Sequence, residues 1–138
     1  MAVTNIDNQE VRVKNKIEVF FKKNMTRHKN TGLCAAKDLM AVVTDKWSLF
    51  VIYNLGYYKT LRFNELKKNI RKISARMLSV TLKKLEQRDL ICRKVYAEVP
   101  PRVEYDLTPL GLELAEKMVD LNDWFMDEFV KEFPEREK

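Results

Sequence analysis

Apolar and polar positions alternate along this chain in two distinct periods, and the order of those periods outlines the fold. Over residues 11–24, Val13, Ile17, Phe20 and Phe21 fall on one helical stripe, with Lys14, Lys16, Lys22 and Lys23 around it. Residues 28–32 are polar and read as a break. Ala36, Leu39, Met40 and Val43 give a second stripe. Asp45 then precedes residues 47–55, apolar nearly all round, which predicts a buried helix ending near Gly56. A short amphipathic helix follows over 62–70, with Phe63, Leu66 and Ile70 inward. Ser74 is a good N-cap, since its hydroxyl accepts an orphan backbone N–H, and it predicts a helix to about residue 88. Met77, Leu78, Leu82 and Leu85 form that helix's inner face, and Ala75, Arg76, Ser79, Lys83 and Gln87 are left outward.

The period then changes from helical to alternating. Asp89 closes the helix, and residues 91–96 and 102–107 read as strands. In the second, Val103, Tyr105 and Leu107 alternate with Arg102, Glu104 and Asp106, the pattern of a half-buried strand. Cys92 in the first strand is assigned to the inner face. Pro100 and Pro101 cannot donate to a ladder, so the stretch between is a hairpin loop. Thr108 caps a final helix with Pro109 in its first position. Leu110, Leu114, Met118, Leu121, Phe125 and Phe129 recur along it at three- to four-residue spacing, a longer stripe than one terminal helix of a small core needs. A partner helix is the expected cover. Val13, Ile17, Phe20 and Phe21, with Leu114, Met118, Leu121, Trp124 and Phe125, are therefore expected at a homodimer interface.

Composition narrows the chemistry. With 138 residues the chain is read as one domain: a helical extension over 1–33, a core over 34–107 and a dimerisation helix over 108–138. Three glycines cannot populate a dinucleotide or phosphate-loop fingerprint, and one histidine removes paired-His zinc sites and most His-dependent catalysis. An enzyme, a cofactor and a metal are not expected. Asp120, Asp123, Asp127 and Glu128 spread over several helix faces and read as a solvated acidic surface. The start lacks the apolar core of a signal peptide, and the longest mostly apolar run, 47–58, falls short of the ~20 residues that span a bilayer. A cytoplasmic protein without a membrane partner is expected.

The net charge of +6 conceals a division. Residues 59–104 carry 13 basic and 5 acidic side chains, whereas residues 105–138 carry 4 and 10. Helix, helix, short helix, longer basic helix and β-hairpin is the order of a winged helix-turn-helix. Its recognition helix fits the major groove of double-stranded DNA, with outward residues of its first turns at the base edges. Those residues here are Ser74, Ala75, Arg76 and Ser79, with Lys83 further along. Lys84, Lys72 in the preceding turn, and Arg93, Lys94 and Arg102 on the hairpin are expected at the phosphates. A winged helix that binds RNA or protein is the alternative. RNA binding would need outward aromatics for base stacking, where this chain has Ser, Arg and Lys.

Several ordered motifs make the resemblance specific. Lys46-Trp47, Arg62-Phe63-Asn64-Glu65-Leu66, the run from Ile73 to Glu86, and the run from Pro100 to Gly111 resemble the HxlR family of winged-helix regulators, related in fold to MarR-type proteins. The likeness covers residues 34–124. It implies a homodimer that binds an operator and regulates neighbouring genes, with Arg102 in the wing. Where the family has Gly-Gly before Lys-Trp, this chain has Thr44-Asp45, so the turn must use non-glycine geometry. Cys34 stands where relatives commonly place a cysteine, and in several of them it senses oxidants or electrophiles. Ala35 replaces the usual following Pro. A small-molecule or oxidant effector acting at Cys34 is thus implied. A thiolate is favoured at a helix N-terminus and beside cations, and Cys34 precedes a predicted helix with Lys37 one turn on.

Overall fold

The structure is a computed structural model that describes the backbone of residues 2–27, 40–42 and 44–132, and side chains over 7–23, 40–42 and 44–132. It forms two compact units, 1–41 and 42–138. Cys34, Ala36, Leu39 and Val43 lie outside the described residues.

The first unit is built on helix α1, Ala2–Arg27. It begins well before residue 11, where the hydrophobic stripe starts, because the polar turns ahead of it hold no Gly or Pro to stop a helix. Val13, Ile17, Phe20 and Phe21 remain exposed on it.

In the second unit, α2 spans Lys46–Tyr58, α3 Phe63–Asn69, α4 Ala75–Gln87 and α5 Pro109–Glu132. Strand β1 is Thr60–Leu61, β2 Ile91–Tyr96 and β3 Arg102–Leu107. The antiparallel sheet runs β1-β3-β2. Arg93 pairs with Tyr105 and Cys92 with Asp106 on one side of β3, and Leu61 pairs with Tyr105 on the other. Both hairpin strands have the expected bounds, and in β3 the alternation holds, with Tyr105 buried and Val103 and Leu107 packed against the core. A third strand, β1, joins them; two residues are too short to show a period.

Two local expectations about this region are corrected, and a third is met. Gly56 does not end α2. The helix runs on to Tyr58 and stops where Lys59 turns left-handed (φ 73°) and its N–H bonds the Leu55 carbonyl at 3.0 Å. Nor is the run 47–55 buried all round: Val51, Ile52 and Leu55 enter the core while Phe50 is 44% exposed, and beyond it Tyr57 and Tyr58 face solvent. Asp45 does supply the non-glycine turn. It holds an extended backbone (φ −79°, ψ 123°), and its carboxylate accepts the N–H groups of Trp47 and Ser48.

The core joins α2, α3, α4 and the sheet through Leu55, Leu66, Leu78 and Leu85 with Ile91 of β2, all essentially without exposure. Burying each such leucine contributes roughly 1.5–3 kcal/mol. Met118, assigned by its spacing to a dimer seam, is 3% exposed in this same core, and Leu114 packs against it. These two residues follow the inward line of α5, which leaves Leu110, Leu121, Trp124 and Phe125 exposed.

The start of α5 is locked to the end of α4. Asp89 adopts a left-handed φ of 58°, its carbonyl accepts the Thr108 hydroxyl at 2.6 Å, and Thr108 Oγ1 accepts the Gly111 N–H at 3.0 Å. A Cβ on Gly111 would lie 2.1 Å from the Leu90 carbonyl oxygen, a backbone atom that itself accepts the Thr108 N–H. Gly111→Ala must push α5 away from that turn. The expected cost is about 1–3 kcal/mol, read as a lower midpoint of urea unfolding. An unchanged midpoint would show that the helix can shift freely.

Candidate nucleic-acid interface

Helix α4 presents the outward surface. Ser74, extended at φ −77° and ψ 155°, caps it by accepting the Met77 N–H on Oγ at 3.0 Å. Leu78, Thr81, Leu82 and Leu85 hold its inner face in the core. Met77, expected inside, is instead 40% exposed, and Thr81 takes the buried place. Opposite that face stand Arg76, Ser79, Val80 and Lys83, all exposed, with Ser74 and Ala75 exposed at the start. Val80 was not among the expected contacts. Its place four residues after Arg76 puts it on the same stripe, and its exposed apolar side chain suits a thymine methyl group.

The basic residues divide into two groups. Lys84 Nζ lies 3.0 Å from Asp45 Oδ2, tying α4 to the N-cap of α2. Ser48 Oγ, buried, donates to the same oxygen at 2.9 Å. Burial alone would raise the Asp45 pKa. The bonds from Lys84 and Ser48 outweigh it and hold the carboxyl below its ordinary 3.8. Lys94 Nζ lies 3.1 Å from Asp106 Oδ2, and Thr60 Oγ1 donates to the other oxygen of that carboxylate. Asp106 is likewise held low: partial burial acts to raise it and is overcome by Thr60 and Lys94. Arg102 stacks over the Tyr96 ring at 4.1 Å and lies 3.5 Å from Glu98 and 3.4 Å from Glu104. The contact to Glu104 is an ion pair without hydrogen-bond alignment at Nε. Lys84, Lys94 and Arg102, all expected at phosphates, therefore have carboxylate partners within the protomer. Lys72, Arg76, Lys83 and Arg93 have none among the described residues.

Register explains the division. Side chains alternate across a sheet, so Lys94, Tyr96, Arg102, Glu104 and Asp106 share the outer face and pair with one another. Cys92, paired with Asp106, lies on that outer face and not on the inner one as its place in the alternation suggested. Arg93 shares the opposite face with Tyr105. There it lines a cleft of about 270 Å³ with Phe63, Ser79, Lys83 and Glu86, at the junction of α3, α4 and the sheet. The structure thus brings Arg93 beside the outward stripe of α4. Lys72 holds a left-handed φ of 68° in the turn before that helix.

A helix held by its cap across a short preceding helix, beside a β-hairpin, is a winged helix-turn-helix. Residues 42–133 match the HxlR-like helix-turn-helix family, and the chain belongs to it. It is 38% identical over 91 residues to the uncharacterized HTH-type transcriptional regulator YtfH of Escherichia coli, covering 66% of this chain and 71% of that one. Among solved structures it resembles YtfH of Salmonella typhimurium, with a TM-score of 0.64 and 33% identity over 75% of this chain and 91% of the other. It also resembles diamide-treated YodB of B. subtilis, with a TM-score of 0.58 and 28% identity over 70% and 90%. The protein is a transcriptional regulator with a helix-turn-helix fold, a family of regulators and not of enzymes. Among the described residues no helix is long and apolar enough to cross a membrane.

Proposed function

We propose that the protein binds a two-fold symmetric DNA operator as a homodimer, reading bases with Arg76, Ser79 and Val80. The observation that carries this is the exposed face of α4, where Arg76 and Lys83 have no carboxylate partner among the described residues and Arg93 and Lys72 flank them. Base-edge contact falls to the N-terminal turns of α4, from Ser74 and Ala75 onward, and phosphate contact to Lys72, Lys83 and Arg93. Lys84, Lys94 and Arg102 shape the site by pairing within the protomer. The dimer forms through the apolar stripes of α1 and α5.

Each phosphate-neutralising cation adds about one to the slope of log affinity against log salt. A salt titration of duplex binding tests the assignment. Arg93→Ala is expected to lower the slope by about 1, and Arg102→Ala to leave it nearly unchanged. The reverse order would return phosphate contact to Arg102.

We further propose that oxidants or electrophiles modulate binding through Cys34. The likeness to a regulator crystallised after diamide treatment supports this reading. Diamide is expected to change duplex affinity of the wild type and not of Cys34→Ser; an equal response in both would contradict it.

A further inference from the structure

Helix α5 exposes apolar residues on both flanks of its buried line. Leu110, Leu121, Trp124 and Phe125 lie on one flank. Leu112, Val119 and Met126, seven residues apart, lie on the other. This second flank faces α2 across a groove of about 510 Å³, within the 300–1,000 Å³ range of small-molecule sites. Ile52, Leu112, Ala115 and Val119 make its apolar lining, and the rings of Tyr53 and Tyr57 stand on the α2 side. Asn122 Nδ2 donates to the Tyr53 hydroxyl at 2.6 Å and to the Met118 carbonyl at 2.9 Å, which fixes that ring. Tyr57 is 82% exposed, edge-on to Tyr58 at 4.8 Å.

The charges at the groove have one sign. Glu116 and Asp120, one helical turn apart, line it, and among the described residues no Lys or Arg does. Neither carboxylate has an ion-pair partner among the described residues. We propose that this groove binds a lipophilic organic cation. The apolar lining takes its hydrocarbon, the tyrosine faces attract its charge, and the two carboxylates complete the neutralisation. A second copy fits less well. An isologous contact over this flank would bring the same two carboxylates of both protomers together without a cation between them. Helix α2 also carries the Asp45–Lys84 link to α4, so an occupant of the groove touches the helix that braces the recognition helix. The role of that occupant as an effector rests on the regulator reading above; the binding itself does not.

Isothermal titration of the full chain with tetraphenylphosphonium, without DNA, tests the site. Saturable binding of one cation per protomer is expected, with tetraphenylborate, of the same shape and opposite charge, at least about tenfold weaker. The double substitution Glu116→Gln with Asp120→Asn is expected to weaken the cation by about tenfold, and Tyr57→Ala by a few-fold, with thermal unfolding confirming that each variant is folded. Equal binding of the two ions, or an unaffected double variant, would overturn the proposal. So would a Val119→Asp chain that sediments as a monomer while the wild type is a dimer, since a second copy would then cover the groove. Any of these failures leaves duplex binding by α4 standing, because no DNA enters the titration.

Discussion

A chain carrying Trp124→Asp with Phe125→Asp is expected to sediment as a monomer and to lose about 10²–10⁴-fold in affinity for a full operator. Both side chains are exposed on α5, at 60% and 57%, beside Leu121. Exposed aromatics of this size on one stripe mark an interaction surface. Two recognition helices tied together bind their second half-site intramolecularly, and severing the tie removes that gain without touching a DNA contact. The substitutions lie away from the core at Met118 and Leu114, so the protomer keeps its fold. Sedimentation and duplex binding, on a full site and on a half-site, check the outcome together. A dimer that survives both charges would move the interface elsewhere.

Arg76→Ala is expected to cost about 1–3 kcal/mol on the preferred operator, roughly 5–150-fold, and to relax preference at one base pair. Arg76 is the second residue of α4, exposed, and without a carboxylate partner among the described residues. Its guanidinium can bind guanine O6 and N7 together, which a lysine ammonium does not do in the same way. Arg76→Lys should therefore keep the salt slope and still lose base preference. A loss equal for all sequences would make Arg76 a phosphate contact.

The parts of the fold written in local chemistry were legible from the sequence. The hairpin strands follow from alternation and the Pro100-Pro101 break, and the recognition helix from the Ser74 cap and its leucine spacing. What escaped was set by partners distant in the chain. Lys84 meets Asp45 across 39 residues, and Lys94 meets Asp106 only because β2 and β3 pair in this register. A count of cations cannot see either. Cys92 changed faces because a strand's side chains alternate residue by residue, so an assignment one position out puts each on the wrong side. Thr81 displaced Met77 because burial follows helix direction and not hydrophobicity alone: a threonine pointing at the core is buried, and a methionine pointing past it is not. The end of α2 depended on Lys59 turning left-handed, a geometry that glycine usually marks and lysine does not.

Selection of bound duplexes from a random DNA pool tests the central claim most directly. The account predicts enrichment of one sequence with two-fold symmetry, half-sites about one helical turn apart, and loss of preference at one position per half-site in the Arg76→Ala chain. A pool that emerges without enrichment, or with an enriched motif unchanged by Arg76→Ala, would contradict it.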